Sequence, residues 1–97
     1  MTPKLGLLLV GSDKNPASQI ADQLSKLKPI ASGEVAMFGL ESADQDGKQA
    51  MKEYSITSAP ACVLMTPEGK VLSKHEGEID AKLIGKMLAS AKLKTRE

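Results

Sequence analysis

The chain has 97 residues, the size of one domain with a single hydrophobic core. Hydrophobic residues make up 41% and charged residues 26%, a balance typical of globular domains. With one Phe, one Tyr, no Trp and a net charge of +1, the chain lacks the aromatic rings and the basic surface of nucleic-acid-binding proteins. One Cys and one His exclude a disulfide framework and a Cys/His zinc site within the chain.

The first apolar stretch, Leu5 to Val10, follows a single lysine near the N-terminus. It lies at the short limit for a signal peptide, and no A-x-A cleavage pattern follows it. No stretch approaches the roughly 18 apolar residues that a membrane helix needs. We therefore expect a buried strand here, no membrane contact, and a cytoplasmic location in which the single thiol stays reduced.

The first half of the chain predicts a strand, a helix and a second strand. The apolar run Lys4–Val10 is typical of a strand buried on both faces. Asn15 is expected to cap a helix whose first residue is Pro16 and whose last is near Lys28, because Pro29 cannot continue it. After a turn over 31–33, residues 34–40 form the second strand.

The second half predicts a short helix over 48–54, with Asp44 or Asp46 as its cap, and then two strands over 61–65 and 70–75. The turn Thr66–Gly69 joins these strands into a hairpin. Asp80 is expected to cap the last helix, whose apolar side chains recur at helical spacing. Basic residues follow near its end: Lys92, Lys94 and Arg96.

These elements predict an α/β domain that spans residues 1–97 in the order β-α-β-α-β-β-α. The first two strands, joined through a helix, should be parallel, whereas the hairpin is antiparallel. The sheet is therefore four-stranded and mixed. Because the strands are apolar runs, helices should cover both of its faces.

Residues 54–61, YSITSAPA, resemble the thioredoxin superfamily. In that family a Tyr-x-Ile/Val stretch ends a helix and precedes a Pro that is usually cis. A strand, a Gly-containing hairpin and an amphipathic C-terminal helix then follow. The resemblance covers essentially the whole chain, starting at the family's central strand and without the additional N-terminal strand and helix of full thioredoxins. It implies a thioredoxin-like fold and a cis bond before Pro60.

The resemblance also locates the family's Cys-x-x-Cys motif, and this chain lacks it. The two cysteine positions fall on Lys14 and Ala17, with Asn15 and Pro16 between them, and residues 1–61 contain no Cys. The family's buried acidic residue falls near Leu8, within an apolar strand. Exchange of disulfides needs an attacking thiolate and a resolving thiol, so we predict no dithiol oxidoreductase activity.

The leading hypothesis is a non-catalytic module that binds a protein or peptide and needs no cofactor. The resemblance implies that the residue before Pro60 offers backbone hydrogen bonds to an extended peptide. The groove would be formed by two loops that contain Asp13, Lys14, Asn15, Pro16, Ser58, Ala59 and Pro60. The helix start beside Lys14 could also attract an anion or a partner's carboxylate.

Two alternatives stay open. Cys62, the single thiol, could serve a one-thiol redox or thiol-transfer enzyme, although among apolar neighbours it is typical of a core residue with a raised pKa. A structural or oligomerising role could use the hairpin edge over 70–75 or an apolar helix face. His75 has no evident nucleophile or metal as a partner, so we interpret it as structural. The sequence specifies neither the partner nor the oligomeric state.

Overall fold

The computed structural model describes residues 5–91, so Lys4 and the basic Lys92, Lys94 and Arg96 lie outside the described residues. The fold is mixed α/β, as predicted. In chain order the elements are β1 (Leu5–Gly11), α1 (Ala17–Leu24), α2 (Lys28–Ala31), β2 (Val35–Glu41), α3 (Gln45–Glu53), β3 (Ala61–Met65), β4 (Val71–Glu76) and α4 (Ala81–Ser90).

The four strands form one mixed sheet in the order β2-β1-β3-β4. β1 and β2 are parallel, with Leu8 opposite Phe38, whereas β3 is antiparallel to both β1 and β4. This arrangement confirms the predicted four-stranded mixed sheet. It also makes β1 a central strand, which explains its unbroken apolar sequence.

Side chains of β1 alternate between two hydrophobic clusters, one on each face of the sheet. Leu5, Leu7 and Leu9 pack in the larger cluster, which contains buried residues of α1 and α4. Leu8 and Val10 pack in the smaller cluster with Ala50 of α3. Helices therefore cover both faces, as expected from strands that are apolar on both sides.

The first helical region differs from the prediction. α1 ends at Leu24, and Pro29 does not end it but lies inside the separate helix α2. The break comes at Leu27, whose extended φ of −67° and ψ of 136° interrupt the helical backbone. Proline is tolerated in the first turn of a helix because its missing N–H would have no partner there. The observed order is therefore β-α-α-β-α-β-β-α.

Helix α3 begins earlier than predicted, at Gln45, with Asp44 as its N-cap residue. Gly47 was expected to lie before the helix, yet it lies within it. A Cβ atom at this position would be 1.8 Å from the main-chain oxygen of Glu41. The glycine is needed because the helix backbone passes directly against the end of β2.

The hairpin and the last helix form as the sequence predicts. The N–H of Gly69 donates to the C=O of Thr66 at 2.9 Å, closing the turn, and Gly69 adopts a φ of 95°. The Asp80 carboxylate accepts a hydrogen bond from the N–H of Leu83 at 2.8 Å, which confirms its cap role. Strand β4 lies one residue later than the predicted strand over 70–75, from Val71 to Glu76.

Candidate functional site

An open cleft of about 530 Å³ lies where the loops after β1, β2 and α3 meet. The β1–α1 loop contributes Asp13 and Lys14, and the α3–β3 loop contributes Ser58 and Ala59. The cleft thus contains parts of both loops that the sequence analysis selected. Its lining is completed by Ser12, Ser42, Ala43, Met51 and Thr57.

Asn15, Pro16 and Pro60 were predicted at this site but do not line the cleft. Asn15 closes a turn by donating its N–H to the C=O and the Oγ of Ser12, each at 3.2 Å. It is not the helix cap, because Pro16 occupies the N-cap position with extended backbone and α1 begins at Ala17. Asn15 and Pro16 therefore shape the loop that presents Asp13 and Lys14.

The N-terminus of α1 is already occupied by a carboxylate of the same chain. Glu41 Oε2 accepts a hydrogen bond from the N–H of Ala17 at 2.9 Å. Glu41 directly follows the second predicted strand, and nothing in its local sequence signals a contact 24 residues away. The predicted attraction of an external anion to this helix start therefore has no support, since the internal carboxylate takes that position.

The α3–β3 loop is anchored to β4. Thr57 Oγ1 and Ser58 Oγ donate hydrogen bonds to Glu76 Oε1 at 2.8 and 3.2 Å, and the Thr57 bond is the main reason that the pKa of Glu76 is lowered. Lys74 Nζ donates to the C=O groups of Tyr54 and Ser55 at 3.1 and 3.0 Å. Lys74 and Glu76 of β4 therefore hold the α3–β3 loop in place through side-chain hydrogen bonds.

The peptide bond between Ala59 and Pro60 is cis. The C=O of Pro60 accepts a hydrogen bond from the N–H of Gly77 at 2.8 Å, which joins this loop to the end of β4. Within residues 5–91, no backbone hydrogen bond uses the N–H or C=O groups of Ser58 or Ala59. These groups lie beside the cleft with their bonding capacity unused.

Cys62 lies in the larger core cluster and is 0% exposed. Its Sγ is 3.7 Å from Met87 Sδ on α4, and burial raises the pKa of the thiol to about 11. A thiolate, the reactive form, is therefore strongly disfavoured at neutral pH. This geometry gives no support to Cys62 as the nucleophile of a redox or thiol-transfer enzyme.

His75 Nε2 lies 3.1 Å from the C=O of Glu78, a local contact near the end of β4. Residues 5–91 contain no group of three or more His, Cys, Asp or Glu side chains arranged to hold a metal ion. Within the same residues, the helices are too short or too polar to cross a membrane.

Comparison with solved structures identifies this architecture. An uncharacterised thioredoxin-like protein from Clostridium perfringens aligns with a TM-score of 0.73 at 16% identity, over 93% of this chain and 72% of that chain. The thioredoxin of Fasciola hepatica aligns with a TM-score of 0.68 at 20% identity, over 92% and 83% of the two chains. The chain has a thioredoxin-like fold.

The germline thioredoxin Deadhead of Drosophila melanogaster aligns with a TM-score of 0.68 at 20% identity, over 93% of this chain and 81% of that chain. No protein-family model matches the sequence, and the search of curated proteins finds no match. The thioredoxin-like fold predicted from residues 54–61 is thus confirmed. A single cysteine, Cys62, agrees with the missing Cys-x-x-Cys motif.

Proposed function

We propose that this chain is a non-catalytic thioredoxin-fold module that binds an extended segment of a protein partner in the cleft. The observation that carries the proposal is the unused hydrogen-bonding capacity of Ser58 and Ala59 beside an open cleft of about 530 Å³. An extended peptide satisfies such groups with its own backbone, as an added strand does at a sheet edge. This mode of binding requires no cysteine.

Side chains around the cleft support a peptide as the occupant. Met51 lies half-buried in the lining and offers an apolar contact, whereas Ser12 and Ser42 offer hydroxyl groups. Asp13 and Lys14, both exposed, add one negative and one positive charge to the lining. A mixed lining of this kind suits the alternating side chains of an extended segment, with main-chain hydrogen bonds supplying affinity and side-chain contacts supplying specificity.

Selection of peptides from a random displayed library on the immobilised native chain provides a direct test. Ala43 is exposed on the cleft lining, so Ala43→Trp should fill the cleft without disturbing the core. Ala89 is exposed on α4, so Ala89→Trp is a matched control. We expect selected peptides to lose at least about tenfold in affinity for Ala43→Trp and to keep their affinity for Ala89→Trp. Equal affinity for all three proteins would contradict the proposal.

We also propose a cytoplasmic location, because the one cysteine is free and buried and needs no oxidising compartment. Fractionation of cells that express the chain with a C-terminal epitope tag tests this. Recovery in the soluble cytoplasmic fraction is the expected result, and recovery in the secreted fraction would contradict it.

A further inference from the structure

The two edge strands of the described sheet, β4 and β2, differ in how well they are protected against pairing with another chain. β4 carries Lys74, follows Lys70, and pairs irregularly with β3, with a register shift at Leu64 and Met65. Charges and bulges at an edge discourage pairing with other chains. β2, over Val35–Glu41, contains no Lys, Arg or Pro.

Within residues 5–91, the outward side of the β2 backbone is unpaired from Val35 to Gly39. At the two ends of the ladder, Leu5 N–H donates to the C=O of Glu34 and Ser42 N–H donates to the C=O of Gly11. Alternate residues of a parallel strand bond to the same neighbour, so the even-numbered residues of β2 face β1. The odd-numbered residues Val35, Met37 and Gly39 direct their N–H and C=O groups away from the sheet. Glu41 does the same, but its C=O accepts a hydrogen bond from the N–H of Asp44 at 3.0 Å.

Phe38, in the middle of β2, is 57% exposed, the most of any large hydrophobic side chain in the described residues. It lies on the α3 face of the sheet, where Leu40 packs in the smaller cluster but Ala36 and Phe38 do not. Beside Phe38 an apolar cavity of about 250 Å³ is lined in part by Gly6, Ala36 and Met65. The ring of Phe38 therefore lies over Gly6 of β1, beside an apolar surface that no helix covers, on the strand at the open edge.

We propose that β2 is an interface at which a second copy of this chain pairs as an antiparallel strand, with a twofold axis at Phe38. This register sets Met37 opposite Gly39, and their outward N–H and C=O groups meet each other. It also sets Val35 opposite Glu41, where the N–H of Glu41 meets the C=O of Val35 and the C=O of Glu41 stays bonded to Asp44. Phe38 then faces Phe38 of the second copy in a non-hydrogen-bonded pair, where side chains approach most closely.

Two features favour a second copy over an unrelated partner. In the symmetric register, the single charge of the strand, on Glu41, faces an apolar valine, so no like charges oppose each other. That carboxylate is also bound to the N–H of Ala17 within its own chain. The strand is thus self-complementary in pattern, which is the requirement for an isologous twofold interface.

Sedimentation of the full chain from about 1 µM to about 1 mM detects association with Kd values across that range. We expect the mass of two chains at the upper end, and Phe38→Lys should give the mass of one chain because two lysines then meet at the axis. Leu72→Lys, at a 41% exposed residue of β4, should leave the association unchanged. A one-chain mass for the native protein throughout, or an unchanged association for a folded Phe38→Lys, would overturn the proposal.

Crosslinking provides a second measurement that does not depend on the effect of a charge. Phe38→Cys brings two thiols opposite each other, and diamide oxidises them to a disulfide while it is itself reduced. Leu72→Cys is the control on the other edge, and the buried Cys62 is present in both proteins. Covalent dimer from Phe38→Cys alone is the expected result. Absence of that dimer, or equally fast crosslinking through Leu72→Cys, would overturn the assignment of β2.

Discussion

At the scale of single residues, Cys62 packs in the core and Glu41 holds the loop beside the cleft. The thiol is enclosed between β3 and α4, so the one cysteine belongs to the packing of the core. Glu41 reaches from the end of β2 to the first N–H of α1 and fixes the loop that contains Asp13 and Lys14. Burial accounts for the place of Cys62 in the core. A hydrogen bond between segments distant in the chain accounts for the role of Glu41 at the start of α1.

Cys62 should react slowly with iodoacetamide in the native protein at pH 8 and rapidly once the protein is unfolded in urea, because burial raises its pKa to about 11. A group whose pKa is raised on folding stabilises the fold below its unfolded pKa, and that contribution is lost as the pH rises through the folded value. We therefore expect the free energy of unfolding to fall between about pH 9 and 11, and to fall less in Cys62→Ala. Rapid alkylation of the native protein would instead support the hypothesis of a one-thiol enzyme.

Replacing Glu41 by Ala should lower the free energy of unfolding by about 1 kcal/mol, the usual cost of losing a helix cap. The N–H of Ala17 then loses the carboxylate that lies 2.9 Å away. Urea denaturation measures this, with Glu68→Ala in the exposed hairpin turn as the control. Equal stability of the two variants would show that the contact does not stabilise α1.

At the scale of elements, the close contact of α3 with the sheet explains why the smaller cluster and the cleft lie side by side. Gly47 allows the helix backbone to approach Glu41, and Ala50 of the same helix packs in the smaller cluster. The loop that follows α3 is then anchored to Glu76 through Thr57 and Ser58. The position of the cleft therefore depends on how α3 and β4 hold this loop.

Gly47→Ala should destabilise the protein by about 3 kcal/mol, the upper end of overpacking costs, because the new Cβ would meet the backbone oxygen of Glu41. Gly85→Ala in α4 is a matched control, since a Cβ there meets nothing within 4 Å. Alanine is the better helix former, so Gly85→Ala should stabilise by about 0.5–1 kcal/mol. Thermal unfolding of both variants tests the pair, and a harmless Gly47→Ala would contradict the close approach.

The anchor of the α3–β3 loop should weaken in acid. Hydrogen bonds from Thr57 and Ser58 lower the pKa of Glu76, so its contribution is present above the unfolded pKa and is lost as the pH falls through the lower, folded value. NMR titration of the Glu76 carboxyl carbon below about pH 5 measures this. Thr57→Val removes one donor and should raise the pKa, whereas Thr66→Val, in the hairpin turn, should leave it unchanged. An identical pKa in all three proteins would contradict the anchor.

At the scale of the whole molecule, the sequence predicted the sheet because local signals and burial agree there. The run Leu5–Val10 is buried on both faces, and Pro67 and Gly69 mark the hairpin turn. It did not predict the break at Leu27, which no glycine or proline marks at that position. It also did not predict the contact between Glu41 and Ala17 or the contribution of Ala43 to the cleft. Both arise from tertiary packing of segments that are distant in the chain.

NMR measures directly whether the cleft binds an extended segment through the backbone groups of Ser58 and Ala59. A peptide that was selected on the native chain is titrated into ¹⁵N-labelled protein, and the chemical shift of every backbone amide is followed. We predict the largest shifts at Ser58 and Ala59, accompanied by slower hydrogen exchange of their N–H groups, with further shifts over Asp13–Asn15. Shifts that avoid both loops, or that concentrate on β2, would show that the peptide does not bind in the cleft.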